Sequence, residues 1–137
     1  MERLLNFECN PREYSPLTLA FIGDSVYELL VREQLVCKGN RPVGTLNKEK
    51  ISLVCCKAQA DVLNEIEKIL TQEEYDVYKS GRNAHVKVPK NASIADYHSA
   101  TGLEALFGYL YLQNNIERIR ELYSYTYKHL SGGDDNE

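Results

Sequence analysis

SPLTLAFIGDSVYELLVREQLV, residues 15–36, reads as one long helix and decides the fold. Ser15 supplies a side-chain oxygen to cap the start. Pro16 sits in the first turn, where its missing N–H costs nothing. The helix should stop near Gly39. On a helical wheel Leu19, Ile22, Val26, Leu29 and Leu30 share one face. Leu17, Ala20, Tyr27 and Val31 surround Asp24 on the opposite one, with Gly23 beside it. A helix that is apolar on both sides is either central in a core or part of an interface. An acid in such surroundings is costly unless it is paired, hydrogen-bonded or bound to a metal.

The same period continues along the chain, and no alternating run is long enough to argue for a sheet, so the expected fold class is all-α. After the loop GNRPVG a second long helix is expected over roughly residues 45–69. Thr71 and Glu74 form a capping box for a short helix ending at Gly81. GRNAHVKVPKN (81–91) is a basic loop broken by Gly81, Asn83 and Pro89. Ser93 caps a further helix, IADYHSATGLEALFGYLYLQ. Asn114-Asn115 interrupts it before a last helix from about Ile116 to Leu130.

In the helix after Ser93, Leu103, Leu106, Phe107 and Leu110 make the core stripe. Glu104 lies elsewhere, with Tyr97, Ala100, Thr101, Gly108 and Tyr111, small and hydroxylated neighbours that suggest an accessible pocket. Two readings of the acids stay open on spacing alone. Asp24 can pair with a base while Glu104 is a surface acid, or the two can hold magnesium, which takes oxygen ligands and keeps several waters.

With 137 residues the chain suits one domain. Its 43% hydrophobic and 26% charged content is that of a globular protein. No apolar run approaches a membrane span, and MERLLNFECNPREY lacks the apolar core of a secretory signal, so a cytoplasmic protein is expected. Cys9, Cys37, Cys55 and Cys56 fit neither a disulfide nor a zinc pattern and read as buried or half-buried small hydrophobes. The net charge of −4 hides a segregation. Residues 38–57 and 79–98 together carry nine basic side chains against two acids, a net +7, while the rest of the chain carries −11. Phosphate affinity depends on where charge sits, so an acidic total does not exclude nucleic acid; a solvated face and a plain basic loop is the alternative. Of the ten tyrosines, Tyr97, Tyr109, Tyr111, Tyr123, Tyr125 and Tyr127 fall at spacings that suit a core or an interface. His85 and His98 read as a loop and a helix-surface histidine rather than catalysts.

LAFIGDSVYELLV (19–31) resembles the ribonuclease III helix LEFLGDSVL, and ATGLEALFGYLYL (100–112) resembles its ADxxEALIGAI partner. SLVCCKAQADVL (52–63), GRNAHVKVPKNAS (81–93) and YHSATGLEAL (97–106) are similar to the Mini-ribonuclease III branch, a catalytic domain without a separate double-stranded-RNA-binding domain. The likeness spans roughly residues 15–130, and the end of the chain a few residues later agrees with it. The expected organisation is an N-terminal segment (1–14), a ribonuclease III-like catalytic domain (15–130) and a disordered acidic tail (131–137).

The resemblance implies a helical homodimer and a Mg2+-dependent endoribonuclease that cuts both strands of duplex RNA and leaves 5′-phosphates. Asp24 and Glu104 stand at acid positions of the family metal site and would be both catalytic and metal-binding. Ala20 and Thr101 stand where full-length enzymes carry two further acids, so fewer side chains and more water would hold the metal. Glu28 and Asp96 are the nearest acids that could support the site. RNA would be held by Lys48, Lys50 and Lys57 from the second helix and by Arg82, Asn83, His85, Lys87, Lys90 and Asn91 from the basic loop. Precursor 23S ribosomal RNA is the implied substrate, with a large-subunit ribosomal protein as a possible partner. Two other functions compete: a non-catalytic RNA- or ribosome-binding module on the same fold, and an all-helical protein-interaction dimer.

Overall fold

The computed structural model describes residues 3–130, whose ordered elements are all helical. They are α1 (Pro16–Cys37), α2 (Val43–Val54), α3 (Cys56–Ile66), α4 (Gln72–Arg82), α5 (Ile94–Leu112) and α6 (Ile116–Leu130). The acidic tail expected over 131–137 lies outside the described residues. No helix among them is long and apolar enough to cross a membrane.

Local chemistry sets most boundaries. The Ser15 side chain accepts from the Thr18 N–H, with Pro16 behind it, and Gly39 ends the turn after α1 at φ +148°. Thr71 and Glu74 form the expected reciprocal capping box. Between α5 and α6, Asn114 takes φ +65°, a conformation Asn tolerates better than most residues. The Asn115 side chain then accepts from Arg118 N–H to start the last helix.

The second helix departs from expectation. It breaks at Cys55, whose backbone is extended (φ −66°, ψ 160°), giving α2 and α3 instead of one helix over 45–69. α3 then tightens into a 3-10 turn at Glu67–Ile69.

α5 is the centre of the molecule, buried from Ala100 to Leu110 except at Glu104. α1, α4, α3 and α6 pack around it, and Tyr27, Val31, Ile66, Leu103, Leu106, Phe107, Leu110 and Leu122 have almost no exposed surface. Each such side chain contributes about 1.5–3 kcal/mol of apolar burial. Tyr27 stands edge-on to Phe107 and Tyr123, with centroids 5.3 and 5.7 Å away. α6 is also tied to α4 by a low-exposure ion pair, Arg118 Nε to Glu74 Oε2 at 2.8 Å. Arg118 additionally donates to the Ile69 carbonyl.

The core face of α1 differs from the wheel reading. Leu19, Ala20, Gly23, Tyr27, Val31 and Leu35 are buried, whereas Ile22, Val26 and Leu30 are only half-buried and Leu29 is exposed. The face around Asp24 supplies the core because α5 packs there. A stripe with Leu17, Phe21, Leu29 and Val36 is left facing solvent, and Phe21 is 82% exposed. Two cysteines depart from expectation: Cys37 and Cys55 are exposed, whereas Cys9 and Cys56 are half-buried as expected.

Candidate active site

α1 and α5 cross backbone to backbone. A Cβ on Gly23 would lie 1.7 Å from the Glu104 carbonyl oxygen, and one on Gly108 would lie 2.0 Å from the Leu19 carbonyl oxygen. No side chain larger than hydrogen fits at either position. Asp24 follows Gly23 directly, so the crossing sets its carboxyl close enough for its charge to act on Glu104.

The two acids exchange the roles the sequence suggested. Asp24 is exposed, whereas Glu104 is the enclosed one. Burial pushes the Glu104 carboxyl up to about 7; the Gln59 amide opposes the rise and the Asp24 carboxylate adds to it. Neither acid forms a salt bridge among the described residues, so the pairing of Asp24 with a base is not what the structure contains. The small residues expected to line an accessible pocket are packed away instead. Ala100 and Gly108 are buried by helix packing, and the buried Thr101 hydroxyl donates to the Tyr97 carbonyl. Ala20 is buried as well.

Gln59 on α3 escaped the sequence reading. It is 3% exposed, and its Nε2 donates to Glu104 Oε2 at 3.1 Å and to the Val54 carbonyl at 3.0 Å. Its signal was a polar residue four positions before Leu63 and seven before Ile66, on the buried stripe of that helix.

Among the described residues no three His, Cys, Asp or Glu side chains cluster as metal ligands. The donor set is thus two carboxylates, chemically suited to a hard oxygen-seeking cation. Repulsion between two acids without a basic partner is what such a cation relieves. Glu28 does not support this pair: its carboxylate accepts from Arg32 Nε at 2.8 Å and lies 3.6 Å from Lys50 Nζ. Arg32 and, more weakly, Lys50 outweigh its burial and hold it below the usual carboxylate range. Asp96 is half-buried, and its charge reaches Cys56 and Lys57.

The expected RNA-binding residues divide. Lys48, Asn83, His85, Lys87, Lys90 and Asn91 are exposed. Lys57 is exposed but bonded to Asp61 at 2.9 Å. Lys50 is drawn toward Glu28, and its side chain is 17% exposed. Arg82 is half-buried, with its guanidinium 5.4 Å from the Tyr78 ring centroid. His98 is half-buried rather than on the surface, with Nδ1 lacking a partner among the described residues. Tyr109 and Tyr123 are buried, Tyr97, Tyr111 and Tyr125 half-buried, and Tyr127 exposed.

A family model described as Ribonuclease III domain matches residues 17–115. A Mini-ribonuclease 3 of Thermoanaerobacter sp. is 45% identical over 109 residues, covering 79% of this chain and 77% of its own length. One of Enterococcus faecalis is 37% identical over 129 residues, covering 92% and 96%. A crystal structure of a Fusobacterium nucleatum protein matches with a TM-score of 0.81 at 31% identity, covering 86% of this chain and 91% of that one. The chain belongs to the ribonuclease III family and is an endoribonuclease. Its relatives within that family carry the name Mini-ribonuclease 3, in agreement with the resemblance read from its motifs.

Proposed function

We propose that the chain is a magnesium-dependent endonuclease that cuts double-stranded RNA as a homodimer, with Asp24 and Glu104 as its catalytic, metal-holding acids. The observation that carries this reading is the approach of those two carboxyls at the Gly23–Gly108 crossing, with neither in an ion pair among the described residues. Magnesium, when bound, supplies positive charge opposite the phosphate and eases the ionisation of water. The protein's part is positional. Asp24 presents a solvent-facing carboxylate, Glu104 a sheltered one, and Gln59 fixes one Glu104 oxygen. Hydrolysis in which water bonds to phosphorus and the bond to the 3′ oxygen breaks requires no covalent enzyme intermediate and leaves a 5′-phosphate and a 3′-hydroxyl.

Duplex RNA presents phosphates and 2′-hydroxyls across a shallow minor groove, and proteins read it largely by shape. The exposed Lys48, Lys87 and Lys90 offer cations for phosphate, and Asn83, His85 and Asn91 offer polar contacts. Lys50, Lys57 and Arg82 belong to the same basic regions but already have protein partners. One site cannot serve both strands of a duplex at once; a two-fold dimer supplies two. The apolar stripe of Leu17, Phe21, Leu29 and Val36 supports that dimer. Within this reading the substrate is precursor 23S ribosomal RNA, cut in the cytoplasm, with a large-subunit ribosomal protein as a possible presenter.

The test is cleavage of a labelled RNA duplex with magnesium and with EDTA, alongside Asp24→Asn and Glu104→Gln. Each variant should lose at least on the order of a hundredfold in rate while keeping its fold and duplex affinity. Near-normal cutting by either variant, or undiminished cutting in EDTA, would sink the assignment.

A further inference from the structure

We propose that Gln59 is a positioning residue of the cleavage site, holding Glu104 with one amide hydrogen and the broken end of α2 with the other. This rests on the reading of Glu104 as a site acid.

The break at Cys55 is the starting point. In a continuous helix the Val54 carbonyl would accept from the main chain four residues on. Here the chain turns extended at Cys55, and the Val54 carbonyl accepts instead from Gln59 Nε2 at 3.0 Å. The Cys55 carbonyl accepts from the Gln59 main-chain N–H, also at 3.0 Å. One residue therefore satisfies the carbonyls on both sides of the break. The second hydrogen of its amide goes to Glu104 Oε2 at 3.1 Å. Nε2 faces two oxygens, and the Val54 carbonyl can only accept, so the amide turned over would set its own oxygen against that carbonyl.

The remaining atom of that amide argues for function over stability. Gln59 Oε1 is buried and has no partner among the described residues. A buried unpaired acceptor carries a desolvation cost, and a methionine of similar shape would avoid it. What the glutamine provides and the methionine cannot is a hydrogen bond to Glu104. That bond restrains one carboxylate oxygen and leaves the other for the reaction. It also links the site to the α2–α3 junction, which a cap on Val54 alone would not do.

The experiment compares the full-length protein with Gln59→Met and Glu104→Gln. Single-turnover cleavage of a duplex gives the rate, and duplex affinity is measured in EDTA. Gln59→Met is expected to slow cleavage on the order of ten- to a hundredfold, the loss of one hydrogen bond to a charged group, with affinity within about twofold of the parent. A parent-like rate for Gln59→Met overturns the proposal. So does a rate that falls only in step with the folded fraction. If Glu104→Gln itself cuts normally, the site assignment fails, whatever Gln59 does. Should Gln59→Met not fold, the side-chain amide protons of Gln59 in the unaltered protein decide by NMR. Both should be protected from exchange, and Glu104→Leu should release one of them; equal, fast exchange in the parent overturns the inference.

Discussion

The Cα of Gly23 rests against the main-chain carbonyl of Glu104, so closely that a methyl group there would come within 1.7 Å of the oxygen. The spacing of the two candidate acids is therefore set by backbone contact between α1 and α5, not by side-chain rotamers. Gly23→Ala is expected to cost about 1–3 kcal/mol or more, because the neighbour that must yield is main chain. Melting temperature should fall, and cleavage by the protein that remains folded should fall further as Asp24 and Glu104 move apart. A variant that melts and cuts like the parent would show that the crossing yields freely.

Glu74 and Arg118 give stability a pH dependence. Burial alone would raise the Glu74 carboxyl, but hydrogen bonds from Arg118 and the Thr71 N–H outweigh it and hold it below the usual range. A carboxyl lowered by folding contributes stability that is complete above its unfolded value, about 4.3, and is lost as pH falls through the folded one. Glu74→Gln should thus be destabilising at about pH 7 and much less so at about pH 3. Denaturant unfolding at both pH values measures this, and an equal deficit at both would remove Glu74 as the source.

Lys87 and Lys90 are exposed and form no ion pair among the described residues. If they meet phosphate, Lys87→Ala with Lys90→Ala should weaken duplex binding and flatten its logarithmic salt slope by about 1–2. Lys50→Ala should change the slope less, since Lys50 already faces Glu28. Fluorescence anisotropy across a salt series reads both, and an unchanged slope for the double variant would take the loop away from the phosphates.

Phe21, 82% exposed on the outer stripe of α1, is the obvious place to break a dimer. Phe21→Glu should shift the protein toward monomer in sedimentation at micromolar concentration, leave the helical circular dichroism intact, and reduce paired-strand cutting relative to nicking. A dimer of parent strength would move the interface elsewhere.

The helical ends were legible because capping chemistry is local: Ser15, Thr71 and Ser93 each accept the hydrogen bond that the sequence advertises. The break at Cys55 was not, because SLVCCKAQADVL keeps helical spacing and contains neither Gly nor Pro. What makes the break tolerable is a side chain, Gln59, reaching back to a freed carbonyl. The acid pair was visible as two oddly placed carboxylates, but which was sheltered was misread. Wheel geometry cannot tell which face of an all-round apolar helix meets its neighbour; Gly23 and Gly108 decide that by permitting contact. Among the basic residues, charge was legible and availability only partly so: Lys57 meets Asp61 one turn on in its own helix, whereas Lys50 finds Glu28 only because α1 and α2 pack together.

The interruption at Cys55 also separates two grades of permanence within the molecule. α3 past the break sends Gln59, Ala60, Leu63 and Ile66 into the core, while α2 before it has no fully buried residue. α2 rests on the core only through the half-buried Leu46, Leu53 and Val54, and its other ties are polar: the Lys50–Glu28 attraction, and Arg41, which bonds both Glu49 and the Leu35 carbonyl. Contacts of that kind let go long before a core does. The amide protons of α2 should therefore trade with deuterium well ahead of those of α5. The segment carrying Lys48 can then resettle on an incoming polyanion while the carboxylates at the helix crossing hold still.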